Sequence, residues 1–355
     1  MSQRRHAFLA ALGVVHAVMG CTTPNASSSN MAAQAERDRV RPERAAAGEV
    51  LFTGMCDASA AVALSSRLVL VADDEDNVLR VYDAQRGGPP SSELDLSTLL
   101  RLPTKTKKDG RPAAAPEIDI EAAARVGDRA YFVTSHGRNS RGKLKAERLR
   151  FFSTNAPDDG ALRLLGEPYS ELLSDLIQEP RLSAFQLESA ALLPPKAAGG
   201  LNIEGMTARV EGGVWLGFRN PIPAGRALLL PLLNPEALVT GQRARFGAAV
   251  TIDLGGLGVR GLASWRGHYL IVAGAFDAAN ASALFIWDGD QHATPLAVPD
   301  LQRYNPEALF TAEGRDEIML LSDDGALRFE GIECKRLDSA QKRFRGLWFK
   351  PPLGD

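Results

Sequence analysis

One short pattern recurs along the chain, and it leaves few folds open. In "IDIEAAARVGDRAYFVTSHGRN" a glutamate, Glu121, is followed by small residues, a turn, an apolar strand and a polar loop. "LNIEGMTARVEGGVWLGFRNP" repeats that order around Glu204, and "YNPEALFTAEGRDEIMLLSDDG" repeats it around Glu307. The polar loops at Ser135, Gly217 and Ser322 come 13 to 15 residues after these anchors. Two more copies lack the glutamate. "GVRGLASWRGHYLIVAGAFD" has Arg260 at the anchor, and "CDASAAVALSSRLVLVADDEDN" has Asp57 and Ser59 there. Most copies run on into a further strand-like piece, such as "VLRVYD", "RLRFFST" or "ALFIWDG".

A unit of three or four strands cannot bury both faces alone, so its neighbours must do so. Radial repetition of small antiparallel sheets is the propeller solution. The expected fold is therefore all-β: a single β-propeller of five blades, with six as the alternative. The anchors are 62, 83, 56 and 47 residues apart, against roughly 40–45 for a four-stranded blade. The wider gaps must hold insertions or, in the largest, a degenerate sixth blade. In that gap, "YSELLSDLIQEP" places Leu172, Leu173, Leu176 and Ile177 on one helical face and ends at Pro180, so a helix is expected near 169–179. The basic, proline-rich "LRLPTKTKKDGRPAAAPE" reads as a surface loop. "NPEAL" occurs at 234–238 and 305–309, but only the second copy has a polar loop at the right distance. The stretch at 51–54 is expected to complete the last blade beside the C-terminal strands.

The first residues do not belong to the propeller. "MSQRRH" is a basic n-region, and "AFLAALGVVHAVM" is an apolar segment too short for a stop-transfer helix. It ends in "VMGC", which resembles a bacterial lipobox, so residues 1–20 are expected to be removed and Cys21 lipidated. Thr22, in place of Asp, resembles an outer-membrane address facing the periplasm. Residues 21–48 carry almost no large apolar side chains and read as a flexible tether to a propeller spanning 49–355. In an oxidising compartment the remaining cysteines, Cys56 and Cys334, invite a disulfide that would staple the ring; free thiols are the alternative. A net charge of −2 gives no electrostatic case for nucleic acid. No nucleophile elbow, H-E-x-x-H, Walker loop or C-x-x-C pair is present.

The ordered series "CDASAAV", "ADDEDNVLRVYD", "DIEAAARVGDRAYFVTSHGRNSRGK", "LNIEGM", "GFRNP", "GRALLLPLLNP", "DLGGLGVRG" and "LSDDG" resembles the bacterial family catalogued as domain of unknown function 3616, over about residues 50 to 350. The resemblance implies no established activity. The "IEG" anchors also resemble those of the esterase-like, phytase-related propeller family.

If the anchors lie on the innermost strands, Glu121, Glu204 and Glu307 converge at the channel with Arg260, Asp57 and Asp119. Such a carboxylate-rich mouth suits a divalent cation such as calcium or a polar ligand. The structural alternative is that each glutamate accepts hydrogen bonds from a neighbouring blade's backbone. The loops add His136, Arg138, Arg219, Asn220, Asp323 and Asp324, which differ from blade to blade as site residues do. His136 is a candidate general base. The first expectation is thus a ligand- or partner-binding propeller. The alternative is a metal-assisted phosphoester or ester hydrolase using the channel carboxylates and His136. "ADDEDN" reads as a solvated turn capping its strand, and "SDDG" as a hairpin turn with Asp-Gly at positive φ.

Overall fold

The computed structural model describes residues 46–111, 113–277, 282–298, 300–312 and 314–352. The expected signal segment, Cys21 and the tether as far as residue 45 lie outside the described residues. The strands are β1 (Glu49–Thr53), β2 (Ala58–Ala63), β3 (Leu68–Asp73), β4 (Val78–Asp83), β5 (Ser92–Asp95), β6 (Ile120–Val126), β7 (Arg129–Thr134), β8 (Phe151–Asn155), β9 (Leu164–Tyr169), β10 (Asn202–Ala208) and β11 (Val214–Asn220). They continue with β12 (Ala227–Leu232), β13 (Val250–Ile252), β14 (Gly258–Trp265), β15 (His268–Gly274), β16 (Ser282–Trp287), β17 (Ala293–Leu296), β18 (Pro306–Thr311), β19 (Ile318–Ser322), β20 (Arg328–Phe329), β21 (Ile332–Glu333) and β22 (Arg343–Phe349).

Four blades are simple meanders, β2–β5, β6–β9, β10–β13 and β14–β17. The fifth has the order β18-β19-β22-β1, so the first strand of the domain is the outer strand of the last blade. Its pairing runs from Glu49 opposite Leu347 to Thr53 opposite Arg343. The expected closure at 51–54 is therefore present. Cys56 and Cys334 form a disulfide beside it, with Cα atoms 6.0 Å apart. The innermost strands β2, β6, β10, β14 and β18 touch one another in a closed circuit, which makes a ring of five blades, with no sixth among the described residues.

The core consists of five apolar layers, one between each pair of adjacent blades. Strand β3 shows how this is encoded. Leu70 and Ala72 face the next blade, while Val69 and Val71 face the previous one. Side chains alternate along a strand. A strand covered on both faces therefore reads as a continuous apolar run, here "LVLVA".

The helix Leu172–Gln178 falls within the expected insertion, and Leu172, Leu173 and Leu176 pack into the layer between the second and third blades. Its buried Asp175 receives the Ala244 amide at 2.8 Å and the Arg243 guanidinium at 2.7 Å, which ties the insertion to the third blade. The two "NPEAL" copies differ as expected: Pro235–Leu238 is one helical turn, whereas Pro306–Thr311 is an inner strand.

Candidate functional site

All five innermost strands carry a β-bulge at the same place. The pairing register slips between Ala58 and Ala60, Ile120 and Ala122, Ile203 and Gly205, Val259 and Gly261, and Pro306 and Ala308. The residues left unpaired are Ser59, Glu121, Glu204, Arg260 and Glu307. These are the five anchors of the repeat. A bulge adds one residue to one strand, kinks it and re-aims a side chain. Here it brings the anchors toward the channel axis, where Glu121, Glu204 and Glu307 share one lining with Ser59.

The channel has three levels. On the face where the inner strands begin, a mouth of about 590 Å³ is lined by Asp57, Asp74, Glu121, Glu204, Glu307 and Asp323, among others. Below it a waist of about 10 Å³ is closed by Ala61, Ala123, Met206, Leu262 and Leu309, which leaves room for roughly one water. Beyond the waist a second mouth of about 400 Å³ is lined by small residues together with Thr207, Ser264 and Thr311. The waist residues each stand two places after the anchor of their strand, so they point the same way one level deeper in the channel.

Two of the three anchor glutamates are neutralised. Glu204, 4% exposed, accepts from Asn202 Nδ2 at 2.5 Å and from Arg219 Nη1 at 2.8 Å. Arg260 Nε stands 3.8 Å from its other oxygen, and Arg260 Nη2 forms a close ion pair with Glu307. Arg260 Nη1 donates to Asn305 Oδ1 at 2.8 Å, and Asn305 Nδ2 donates to Asp323 Oδ2 at 2.9 Å. Arg148 donates to Asp119 at 2.8 Å and pairs with Glu117. The glutamates thus meet arginines and asparagines, and the expected lock onto a neighbouring blade's backbone is supplied instead by Ser59, whose Oγ donates to the Ile120 carbonyl at 2.6 Å.

A second group of carboxyls has no such compensation. Among the described residues no ion pair reaches Asp57, Asp74 or Glu121. Burial, then the charges of Asp323 and Asp73, push Asp57 up to about 9. Burial, then Asp73, Asp119 and Asp57, hold Asp74 well above the carboxylate range. Burial, then Glu204 and Asp119, do the same for Glu121. Asp73 rises to about 7, first through burial and then through Asp76. Desolvation and like charge both disfavour the ionised form, so part of this cluster is protonated at neutral pH. Two buried acceptors in the mouth, Asp74 Oδ1 and Asn202 Oδ1, have no hydrogen-bond partner.

The structure brings Glu121, Glu204, Arg219, Glu307 and Asp323 to the mouth lining, with Arg260 bridging two of them. The other candidates lie elsewhere. His136 is 1% exposed, sits at φ +54° and has Nδ1 on the Thr134 carbonyl at 2.8 Å. Burial pushes it down to about 4, so it is neutral, and it does not line the mouth. Arg138 is spent on the carbonyls of Ala191 and Gly142. Asn220 holds the carbonyls of Pro195 and Ala197. Asp324 is buried and receives Arg345 through Nε at 2.8 Å and Nη2 at 2.7 Å.

Two turn readings change. "ADDEDN" does cap its strand, through Asp73 on the Glu75 amide and Asp76 on the Val78 amide, yet Asp74 and Glu75 line the mouth. "SDDG" is not a positive-φ hairpin, since Gly325 is absent from the positive-φ glycines. Gly325 is required instead by proximity: a Cβ there would collide with the Asp57 carboxyl. Asn202 and Asn305, absent from the expected site residues, carry a signal in the sequence. Asp57, Asp119, Asn202 and Asn305 each stand two residues before the bulged residue of their blade.

A three-glutamate metal site does not fit this geometry, because Glu204 and Glu307 are already paired with arginines. Among the described residues no three His, Cys, Asp or Glu side chains are grouped to hold a metal ion.

Comparison with curated proteins finds no match. Among solved structures, the glutaminyl cyclase of Myxococcus xanthus is similar at 10% identity and a TM-score of 0.45, covering 84% of this chain and 94% of that one. The PQQ-bound aldose sugar dehydrogenase of Streptomyces coelicolor is similar at 12% identity and a TM-score of 0.41, over 85% and 98%. The Malassezia sympodialis allergen Mala s 1 is similar at 10% identity and a TM-score of 0.38, over 82% and 77%. Residues 148–317, which run from the second blade to the fifth, match the model of the family described as Protein of unknown function (DUF3616), the family that the motif series resembles.

Proposed function

We propose that this chain is a lipid-anchored protein of the bacterial envelope whose propeller binds a small polar ligand in the acidic channel mouth. The observation that carries this reading is the uncompensated group Asp57, Asp74 and Glu121, gathered in one cavity and held above the carboxylate range. Apolar layers, strand exchange and a disulfide already close the ring, so architecture does not need these charges. Crowded carboxyls weaken the unliganded fold, and perturbed groups in a cleft are the usual signature of a site.

The strand directions support the anchored arrangement. Glu49 pairs with Leu347, while Thr53 pairs with Arg343, on the side of Ser322 and Asp57. The chain therefore enters the propeller on the face opposite the acidic mouth. A tether from Cys21 would join the domain at that face. Two or more acyl chains would hold it stably at the outer membrane. Hydrolysis draws no support from His136, which does not reach the cavity.

A thermal-shift screen of polar metabolites on the folded protein tests the site. Hits are expected to disappear in Ser140→Trp, a bulky change at an exposed rim position. A screen without hits, or hits indifferent to that change, would remove the reading. The anchor is tested separately: labelled palmitate should enter the wild type and not Cys21→Ser.

A further inference from the structure

We propose that the ligand of the mouth is a small organic cation whose N–H donors are taken up by Asp57, Asp74, Glu121, Asp323 and Asn202. This inference rests on the reading of the mouth as a binding site and adds the class of ligand.

It starts from what the mouth lacks. The cations nearest its floor are committed: Arg219 to Glu204, Arg260 to Glu307, and Arg148 to Asp119 and Glu117. At the rim, Lys335 is held by Glu75 at 2.9 Å. Also at the rim, Lys145 is held by Glu147 at 3.1 Å and Lys196 is exposed. Between these cations runs an arc of acceptors. Asp57 and Asp323 face each other across a single backbone bridge, and Asp74 and Glu121 continue the arc around the mouth.

Asn202 is independent of this acidic cluster and points the same way. It is 5% exposed. Its Nδ2 is fixed on Glu204, which leaves Oδ1 as a buried acceptor without a donor. An unmade hydrogen bond at a buried polar atom is expensive. Asp74 Oδ1 repeats the deficit. A ligand that cancels both must bring donors, and one that relieves the repulsion among the carboxyls must bring positive charge.

A directly chelated metal does not answer this description, since among the described residues no three carboxyls stand close enough together to hold one ion. An ammonium or guanidinium carries several directed N–H donors on a compact charge, and a cavity of about 590 Å³ accommodates a molecule of metabolite size. Because some of these carboxyls hold protons at neutral pH, a cation that enters must displace them into solvent.

Isothermal titration of the protein at pH 7 with 1,4-diaminobutane, agmatine, 1,4-butanediol, acetate and calcium chloride tests the proposal. One or both amines should bind, with protons released, as shown by heats that differ between buffers of unlike ionisation enthalpy. Butanediol and acetate should not bind. Asp74→Asn should weaken amine binding by about tenfold or more while leaving the circular dichroism spectrum unchanged. Binding of butanediol or acetate that Ser140→Trp abolishes would overturn the cation and keep the mouth as a site. Calcium that binds and excludes the amines would overturn the organic ligand. Amines that bind equally to Asp74→Asn and to Ser140→Trp would overturn the location, and silence across the panel would overturn the proposal.

Discussion

Replacing Asp57 with asparagine should stabilise the protein at pH 8 and do little at pH 4. Asp57 is 6% exposed and faces Asp323 and Asp73, and its carboxyl is pushed from 3.8 up to about 9. Between those limits the folded chain holds a proton that the unfolded chain has released. Raising the pH through that interval therefore favours unfolding, and above about 9 the penalty is complete because both states are ionised. One proton of difference corresponds to about 1.4 kcal/mol per pH unit. From pH 5 to pH 8 the ceiling is about 4 kcal/mol, and water entering the open mouth lowers it to roughly 2–4 kcal/mol. Asparagine has the shape of the neutral acid and no charge to lose. Urea unfolding followed by tryptophan fluorescence at several pH values measures the difference. The wild type should lose stability steadily from pH 5 to 8, and Asp57→Asn should lose distinctly less. Parallel curves for the two proteins, or a variant that is weaker at pH 8, would refute the charge reasoning. A saturating cationic ligand should flatten the wild-type curve toward that of the variant.

Three further outcomes are expected. His136, pushed down to about 4 by burial, should show no NMR titration of its ring between pH 9 and 5; because the unfolded histidine takes its proton first, the associated stability is lost as pH falls from about 6.5 to 4, and a midpoint near 6.5 would contradict its burial. Arg345→Met removes both guanidinium donors from buried Asp324 and leaves it the Ser322 hydroxyl and the backbone amide of residue 345; it should cost about 3–5 kcal/mol in a denaturant melt, whereas a change under about 1 kcal/mol would mean the pair behaves as an exposed one. Replacing both Cys56 and Cys334 by alanine opens a loop spanning 278 residues and should lower stability by up to about 5 kcal/mol, read as a drop in the melting midpoint that reductant reproduces in the wild type.

The anchors and the loops were unequally legible in the sequence. Glu121, Glu204, Arg260 and Glu307 could be aligned because the bulge demands a recurring local spacing in every blade. His136, Arg138, Asn220 and Asp324 looked like site residues because polar groups in equivalent loops often are. In the folded chain His136 is buried on the Thr134 carbonyl, and the other three are consumed by neighbours: Arg138 by the carbonyls of Ala191 and Gly142, Asn220 by the carbonyls before β10, Asp324 by β22. Asp74 was hidden for the opposite reason. A run of acids reads as solvated, and only the closed ring buries Asp74 and sets Asp57 of its own blade and Asp119 and Asp323 of the neighbouring blades against it.

What the amino-acid sequence determined by itself was the repeating unit: alternating apolar positions that must be covered on two faces, a turn, and a bulged anchor. Those are local constraints, set by strand periodicity and by the spacing of turn residues. It also marked the ends that meet, since the first strand and Cys56 had no partner nearby in the chain. The tertiary structure decided the charges. Whether a carboxylate is neutralised by an arginine, as Glu204 is, or left to repel its neighbours, as Asp57 is, depends on which blades lie side by side around the channel. Electrostatic energy follows distance through space and local burial, and neither can be read along a chain until the ring has closed.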